Sequence, residues 1–229
     1  MSAARRQILD AVRRALGRGA VPAEARARLE VRLARPGAGP IPARARLDAA
    51  ARVDLFVAMA EEAAATVARV AAPEAVPAAV ADYLAAENLP ARLRLAPDAG
   101  LAALPWADRP LLELSAGVGR ADDAVSLTPA FAGVAETGTL VLVSGPDSPT
   151  TLNLLPDTHI VLLEAGRVVG AYEEVWSRLR ARYGAGHMPR TVNLITGPSR
   201  SADIEQTLQM GAHGPRRLHI ILLDDQTQG

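Results

Sequence analysis

The sequence predicts an α/β fold: an open, mostly parallel sheet with flanking helices, preceded by an N-terminal helical extension. Three observations predict it. The segments Thr139–Val143, His159–Leu163, Val192–Ile195 and Leu218–Leu223 are nearly continuous Val, Leu and Ile, the pattern of strands covered on both faces. Helical patterns fall between several of them, and strand–helix alternation builds open α/β sheets. The chain has 229 residues, 49% apolar and 22% charged, a globular composition with room for one sizeable domain and an extension.

Taken in order, Ile8, Leu9, Val12 and Leu16 recur at helical spacing, with Ser2 upstream and Gly17 and Gly19 as stops, which predicts a short amphipathic helix. Residues 18–47 combine Pro36, Gly37, Gly39, Pro40 and Pro42 with an Arg-rich stretch and read as a loosely structured connector. A second helix is expected from about Arg52 to Val70, with Leu55, Phe56, Met59, Ala63 and Val67 on one face, and a third from about Pro73 to Asn88. Arg92–Leu95 and Leu111–Leu114 are the first candidate strands. A helix bearing Tyr172, Val175, Trp176, Leu179 and Tyr183 follows His159–Leu163, and these aromatics read as core. Another helix, with Ile204, Leu208 and Gly211 on one side, is expected before the last strand. The expected division is 1–50, N-terminal helix and connector, and 51–229, the α/β domain.

Composition excludes several chemistries. With no cysteine the chain has no thiolate for an iron–sulfur cluster, no disulfide and no cysteine nucleophile. With no lysine it has no Schiff-base amine and no P-loop lysine. The net charge is zero, so no global field draws it to nucleic acid. The Arg run of residues 26–46 lacks the aromatics that stack on bases. Arg5-Arg6 is followed by Asp10, Arg13 and Arg14 rather than an apolar stretch, and no apolar run approaches the roughly 20 residues of a membrane span. A cytoplasmic protein that binds neither nucleic acid nor membrane is expected. His159, His187, His213 and His219 match no zinc spacing, so no metal is expected.

Three segments are candidates for chemistry. Glu136-Thr137-Gly138-Thr139 leads into a buried strand, so a carboxylate stands beside backbone amides that the glycine leaves accessible. Glu136 reads either as nucleophile, base or ligand-holding group, or as a solvated carboxylate beside a Thr137-Gly138 turn. Thr196-Gly197-Pro198-Ser199-Arg200-Ser201-Ala202-Asp203-Ile204-Glu205 joins a predicted strand to a predicted helix, where open α/β sheets bind ligands. Ser199 or Ser201 caps that helix, Asp203 and Glu205 occupy its first turn, and Arg200 offers a two-pronged donor for a carboxylate or phosphate. It is neither a dinucleotide-binding nor a Walker loop. Gly211-Ala212-His213-Gly214-Pro215 ends the helix. His213 reads equally as a proton carrier for a neighbouring site and as a turn residue satisfied by a carbonyl. His159 and His219 lie in predicted strands and read as packing.

In this order, Glu136-Thr-Gly-Thr139, Leu154-Leu155-Pro156 with His159-Ile160, Thr196–Glu205 and Gly211–Pro215 resemble the successive motifs of the LUD-domain family, and within it the lactate-utilisation C branch. The likeness covers about residues 120–225. It implies a fold similar to that of ribose-phosphate isomerase, glucosamine-phosphate deaminase and the CoA transferases. It also implies a place beside two iron–sulfur lactate-utilisation proteins that together oxidise L-lactate to pyruvate. The chain itself would bind no cofactor, the clusters belonging to those partners. Glu136 resembles the CoA-transferase nucleophile, although fold likeness does not transfer chemistry.

The leading expectation is therefore a cluster-free component of a bacterial lactate-oxidising system, binding a small carboxylate or phosphorylated ligand at the carboxyl edges of its strands. Gly197, Pro198, Ser199, Arg200, Ser201, Asp203 and Gly214, with Thr137, Gly138 and Thr139, would bind it, and Glu136 and His213 would serve as polar or proton-transferring groups. The alternatives are a stand-alone CoA-transferase-like or sugar-phosphate isomerase-like enzyme using Glu136, and a purely structural subunit.

Overall fold

The computed structural model describes residues 2–17, 19–34, 37, 39–184, 186–204, 207–211 and 213–224, with the side chains of 201–210 outside that description. The chain divides into two compact units, Met1–Gly39 and Pro40–Gly229. The first contains α1 (Ala3–Ala15) and α2 (Ala23–Ala34), neither with a buried residue. Ser2 caps α1 by accepting from the Arg5 amide, as its position before the apolar stripe predicts. The segment expected to be a loosely structured connector thus contains α2, because its Ala, Arg, Glu and Leu content favours a helix over loop.

The second unit begins with α3 (Ala49–Glu62) and β1 (Thr66–Val70), then α4 (Val76–Ala86), β2 (Arg92–Leu95), α5 (Ala99–Ala102), β3 (Glu113–Ala116), β4 (Val125–Pro129), β5 (Ala132–Val134) and β6 (Thr139–Val143). It continues through α6 (Thr151–Leu154), β7 (Thr158–Glu164), β8 (Val168–Val169), α7 (Tyr172–Tyr183), β9 (Val192–Ile195), β10 (Arg200–Ile204), β11 (Thr207–Met210) and β12 (Arg217–Leu223). Six strands form one sheet in the order β1-β12-β7-β4-β2-β3, parallel at every pairing. A second sheet has the order β8-β5-β6-β9.

Three apolar layers hold the unit together. Val80 and Leu84 of α4 cover one face of the large sheet at Leu93, Leu127, Ile160 and Ile221. Its other face, through Val161, Leu163, Ile220 and Leu222, meets Phe56 of α3 and Leu140 and Leu142 of β6. The far side of the small sheet, with Val134 and Val141, is covered by Val175 and Leu179 of α7. Alternation along β7 and β12 therefore feeds two cores at once, which is why these strands read as continuous apolar runs.

Four expectations need correction. The helix predicted over Arg52–Val70 stops at Glu62. Ala64 takes φ 68°, and the β-branched Thr66, Val67 and Val70 pair with β12 instead. The helix predicted from Arg200 is an antiparallel hairpin, β10 against β11, with Arg200 opposite Met210 and Ile204 opposite Thr207. The four strongest strands do not share one sheet: β7 and β12 are in the large one, β6 and β9 pair antiparallel in the small one. Four strands not anticipated, β1, β4, β5 and β8, complete the sheets. β2 and the helices α1, α4 and α7 form where their patterns place them, while β3 starts at Glu113, two residues later than the Leu111–Leu114 expected.

Candidate functional site

Two of the three chemical segments meet. Past the end of β9, Gly197 has φ +71° and packs so tightly on the end of α3 that a Cβ would overlap the Ala63 carbonyl oxygen. Glycine is required there. The same carbonyl accepts from Arg200 Nη2 at 2.8 Å. The loop is then stitched to the His213-Gly214-Pro215 segment. Ser199 N donates to Pro215 O at 2.8 Å and Gly211 N to Ser199 O at 2.9 Å, while His213 N reaches Ser199 Oγ at 3.4 Å. Arg216 and Arg217 amides both donate to Asp157 O, which ties this segment to the start of β7.

A cavity of about 260 Å³ opens where these pieces join, lined by Thr196–Arg200, His213–Pro215, Asn153, Leu154, His159, Leu194, Ile195 and Leu218. His159, Pro215 and Leu218 lie at the amino ends of β7 and β12. The expected placement at carboxyl edges is therefore corrected. Gly197 does follow a strand's carboxyl end, but β9 belongs to the antiparallel sheet, so its outgoing loop crosses to the opposite edge of the parallel one.

The cavity's inner wall sets two buried polar side chains, Asn153 and His159, beside the buried Leu218. His159 is fully buried, and its Nε2 shares a 2.7 Å hydrogen bond with Thr128 Oγ1 on the neighbouring strand β4. Burial drives its imidazole down to about 3, so the ring is neutral at physiological pH. His159 Nδ1 and Asn153 Oδ1 are both buried without a partner. Orphaned buried polar atoms each cost about 1–3 kcal/mol, so two in one cavity wall mark a place where a polar guest is stabilised. The mouth, by contrast, carries the exposed Arg200 and His213.

The third segment stands behind this cavity rather than in its lining. Glu136 to Gly138 form the turn between β5 and β6, the reading in which Thr137-Gly138 is a turn. Gly138, at φ +63°, packs against the backbone of Met59 and Ala60 on α3. Glu136 is half-buried, its Oε2 buried without a partner, and it is not among the residues around the cavity. A cluster of four hydroxyls connects the turn to the cavity wall. Thr137 and Thr139 Oγ1 are 2.7 Å apart, Tyr172 Oη lies 3.0 and 2.8 Å from them, and Thr139 Oγ1 lies 2.6 Å from Thr196 Oγ1.

Of the other predicted ligand-binding residues, Gly197, Pro198, Ser199, Arg200 and Gly214 line the cavity with His213. Ser201 and Asp203 belong to β10 by backbone, so neither caps a helix, and their side chains lie outside the described residues, as does Glu205. Sequence reasoning did not single out Asn153, His159 or Tyr172 for the site. A lone polar Asn153 within the apolar Leu152–Leu155 run, and a histidine inside a run of β-branched and leucine residues, were the available signals. Tyr172 reads as core, and its ring does pack there, but its hydroxyl joins the cluster. Among the described residues no group of three His, Asp or Glu is placed to hold a metal ion, and no helix is long and apolar enough to cross a membrane.

An open α/β domain with a loop-built cavity at the amino edge of its parallel sheet and no thiolate ligands defines the class. The chain belongs to the LUD-domain family, whose model matches residues 53–223. A crystal structure of a DUF162 family protein from Deinococcus radiodurans has a TM-score of 0.59 to it at 25% identity, covering 77% of this chain and 99% of that one. The chain is 38% identical over 94 residues to lactate utilization protein C of Bacillus subtilis, covering 41% of this chain and 39% of that protein. It is 38% identical over 107 residues to the protein of the same name from an Exiguobacterium species, 46% of each chain. It is 42% identical over 92 residues to an uncharacterized protein of Neisseria meningitidis, 40% of this chain and 38% of the other. The matches to these last three proteins span less than half the length of each.

Proposed function

We propose that this chain is the cluster-free component of a bacterial L-lactate oxidation system and holds a small carboxylate in the cavity between the Gly197–Arg200 and His213–Pro215 loops. One observation carries the reading: two family motifs and the buried pair Asn153 and His159 close around a single cavity. The relatives' name, lactate utilization protein C, supplies the pathway.

The chemistry follows from what the wall offers. Arg200 at the mouth presents a planar fork to a carboxylate. Neutral His159 and Asn153 within offer one ring nitrogen and one amide oxygen to a hydroxyl or carbonyl on the adjacent carbon, once the wall opens enough to admit it. A hydroxyl can give a hydrogen to Asn153 Oδ1 and take one from His159 Nδ1, whereas a carbonyl can only take one from His159 Nδ1. Oxidising lactate to pyruvate removes two electrons and two protons, and no side chain here accepts electrons. Iron–sulfur clusters supply that chemistry when bound, and with no cysteine this chain has no cradle for them. The reading requires an electron-accepting partner, which the family resemblance implies to be two iron–sulfur proteins, and this chain binds and orients. The CoA-transferase-like or isomerase-like alternative needs Glu136 at a ligand, and Glu136 stands outside the cavity lining. Its role is assigned to the turn, beside the Thr137–Thr139 hydroxyls.

The test is lactate-dependent electron transfer by this chain reconstituted with its two iron–sulfur partners. Arg200→Ala lowers the rate about tenfold, the loss of a charge-assisted contact, whereas Glu136→Gln has the smaller effect. Wild-type rates with Arg200→Ala, or a covalent thioester trapped on Glu136, would reverse the assignment.

A further inference from the structure

A second cavity, of about 270 Å³, lies on the opposite edge of the large sheet, where β1, β12 and β7 end, and is lined by Arg52, Arg69 and Arg178 with Asp224. We propose that it binds a phosphoryl group, as a phosphate monoester or as free phosphate, a ligand unrelated to the carboxylate assigned above.

The three guanidinia come from three elements, α3, β1 and α7, and their existing partners leave donors free. Arg178 meets no carboxylate in its hydrogen bonds: its Nη1 donates to Arg167 O at 2.9 Å and its Nη2 to Gly166 O at 3.4 Å. Arg52 donates from Nη2 to Leu47 O at 3.3 Å, holds Glu174 only at 3.8 Å, and has a buried Nε with no partner. Arg69 is the best compensated, with Asp54 at 3.0 Å and Asp224 at 3.8 Å. Each guanidinium has five N–H donors, so Arg52 and Arg178 retain several for a guest.

Like charges are held together here at some cost. Burial pushes the Arg178 guanidinium below its ordinary value; Glu174 opposes this, and the neighbouring Arg52 and Arg167 add to it. Glu174 is in turn occupied, since its Oε1 accepts from the Gly170 and Ala171 amides at 2.9 and 3.2 Å. A doubly charged tetrahedral anion offers acceptors to two or three forks at once, which a single carboxylate cannot. The start of α3 adds little, because Asp48 already caps it through the Ala51 amide. Apolar walls at Ala49, Val53, Ala165 and Val168 leave room for a short aliphatic ester beside the phosphoryl group.

Titration calorimetry of the full chain with glycerol 3-phosphate, inorganic phosphate and glycerol, at constant ionic strength, tests this. Saturable binding of either phosphate and none of glycerol is expected, with Arg52→Gln and Arg178→Gln each weakening it about tenfold. Preference for the ester identifies a monoester site, and equal affinity identifies free phosphate as the source. Should Arg178→Gln fail to fold, having lost its carbonyl bonds, Arg52→Gln and Arg69→Gln decide the matter. No saturable binding, binding indifferent to these substitutions, or binding abolished by Arg200→Ala would overturn the site. The last result would move the anion to the lactate cavity.

Discussion

At Gly197 one hydrogen atom decides whether the loop can lie on α3. A methyl group there overlaps the Ala63 carbonyl, and φ +71° is strained for any L side chain. Gly197→Ala is predicted to lower stability by roughly 3 kcal/mol, read from the midpoint of chemical denaturation. A change below about 0.5 kcal/mol, the scale of a neutral surface substitution, would mean the loop is not seated as described. The buried histidines make a second prediction. Burial lowers His159 to about 3 and His219 to about 4, below the ordinary 6.5 of the unfolded chain. Between those values and 6.5 the unfolded state holds more protons, so stability rises with pH across that window and is complete above it. Acidification from pH 6.5 toward 4 should cost up to about 1.4 kcal/mol per pH unit for each ring. His159→Asn should flatten that slope in urea melts at several pH values, and an unchanged slope would contradict the burial argument. The need for glycine at Gly197 was legible from its motif. The importance of His159 was not, because a neutral histidine between strands looks the same in sequence whether it packs or lines a cavity.

Among the elements, β4 shows why half-polar strands escape notice. Ser126 and Thr128 alternate with Val125 and Leu127, yet all four are buried, because Ser126 Oγ donates to Leu152 O and Thr128 meets His159. The hairpin β10–β11 fails in the opposite sense. Ser-Ala-Asp-Ile-Glu reads as a capped helix start, but backbone pairing between Arg200 and Met210 wins. β1 was absorbed into α3 because Ala63-Ala64-Ala65 favours helix and gives no sign that Ala64 turns left-handed. In contrast α4 and α7 are legible because the helical period dominates them, and β7 and β12 because their apolar runs are nearly unbroken. The pairing of β2 with β4 is reinforced by Arg94, which grips Asp123 through two bonds of 3.0 and 3.2 Å, with side chains only 14% and 10% exposed. Burial tends to raise the Asp123 carboxyl, but bonds from Arg94 and the Arg120 amide hold it below the usual value. Asp123→Ala leaves Arg94 unpaired at low exposure, and a loss of about 3 kcal/mol is expected in thermal or urea unfolding. A loss under about 1 kcal/mol, the range of surface pairs, would show that solvent screens the pair.

For the whole molecule, the α/β class was legible from strand–helix alternation, whereas the division into two sheets was not, since β6 and β9 have the same apolar composition as the parallel strands. The compact units predict that residues 40–229 fold alone. Removing 1–39 should leave the unfolding free energy of the remainder unchanged within about 0.5 kcal/mol, and a collapse of cooperativity would contradict it. The function rests on a cavity that only the tertiary fold creates, from loops 14 residues or more apart such as Ser199 and His213. Calorimetric titration of L-lactate into the full chain tests that most directly. Saturable one-to-one binding, weakened about tenfold by Arg200→Ala, is the predicted result; no saturable heat, or affinity indifferent to that substitution, would contradict it.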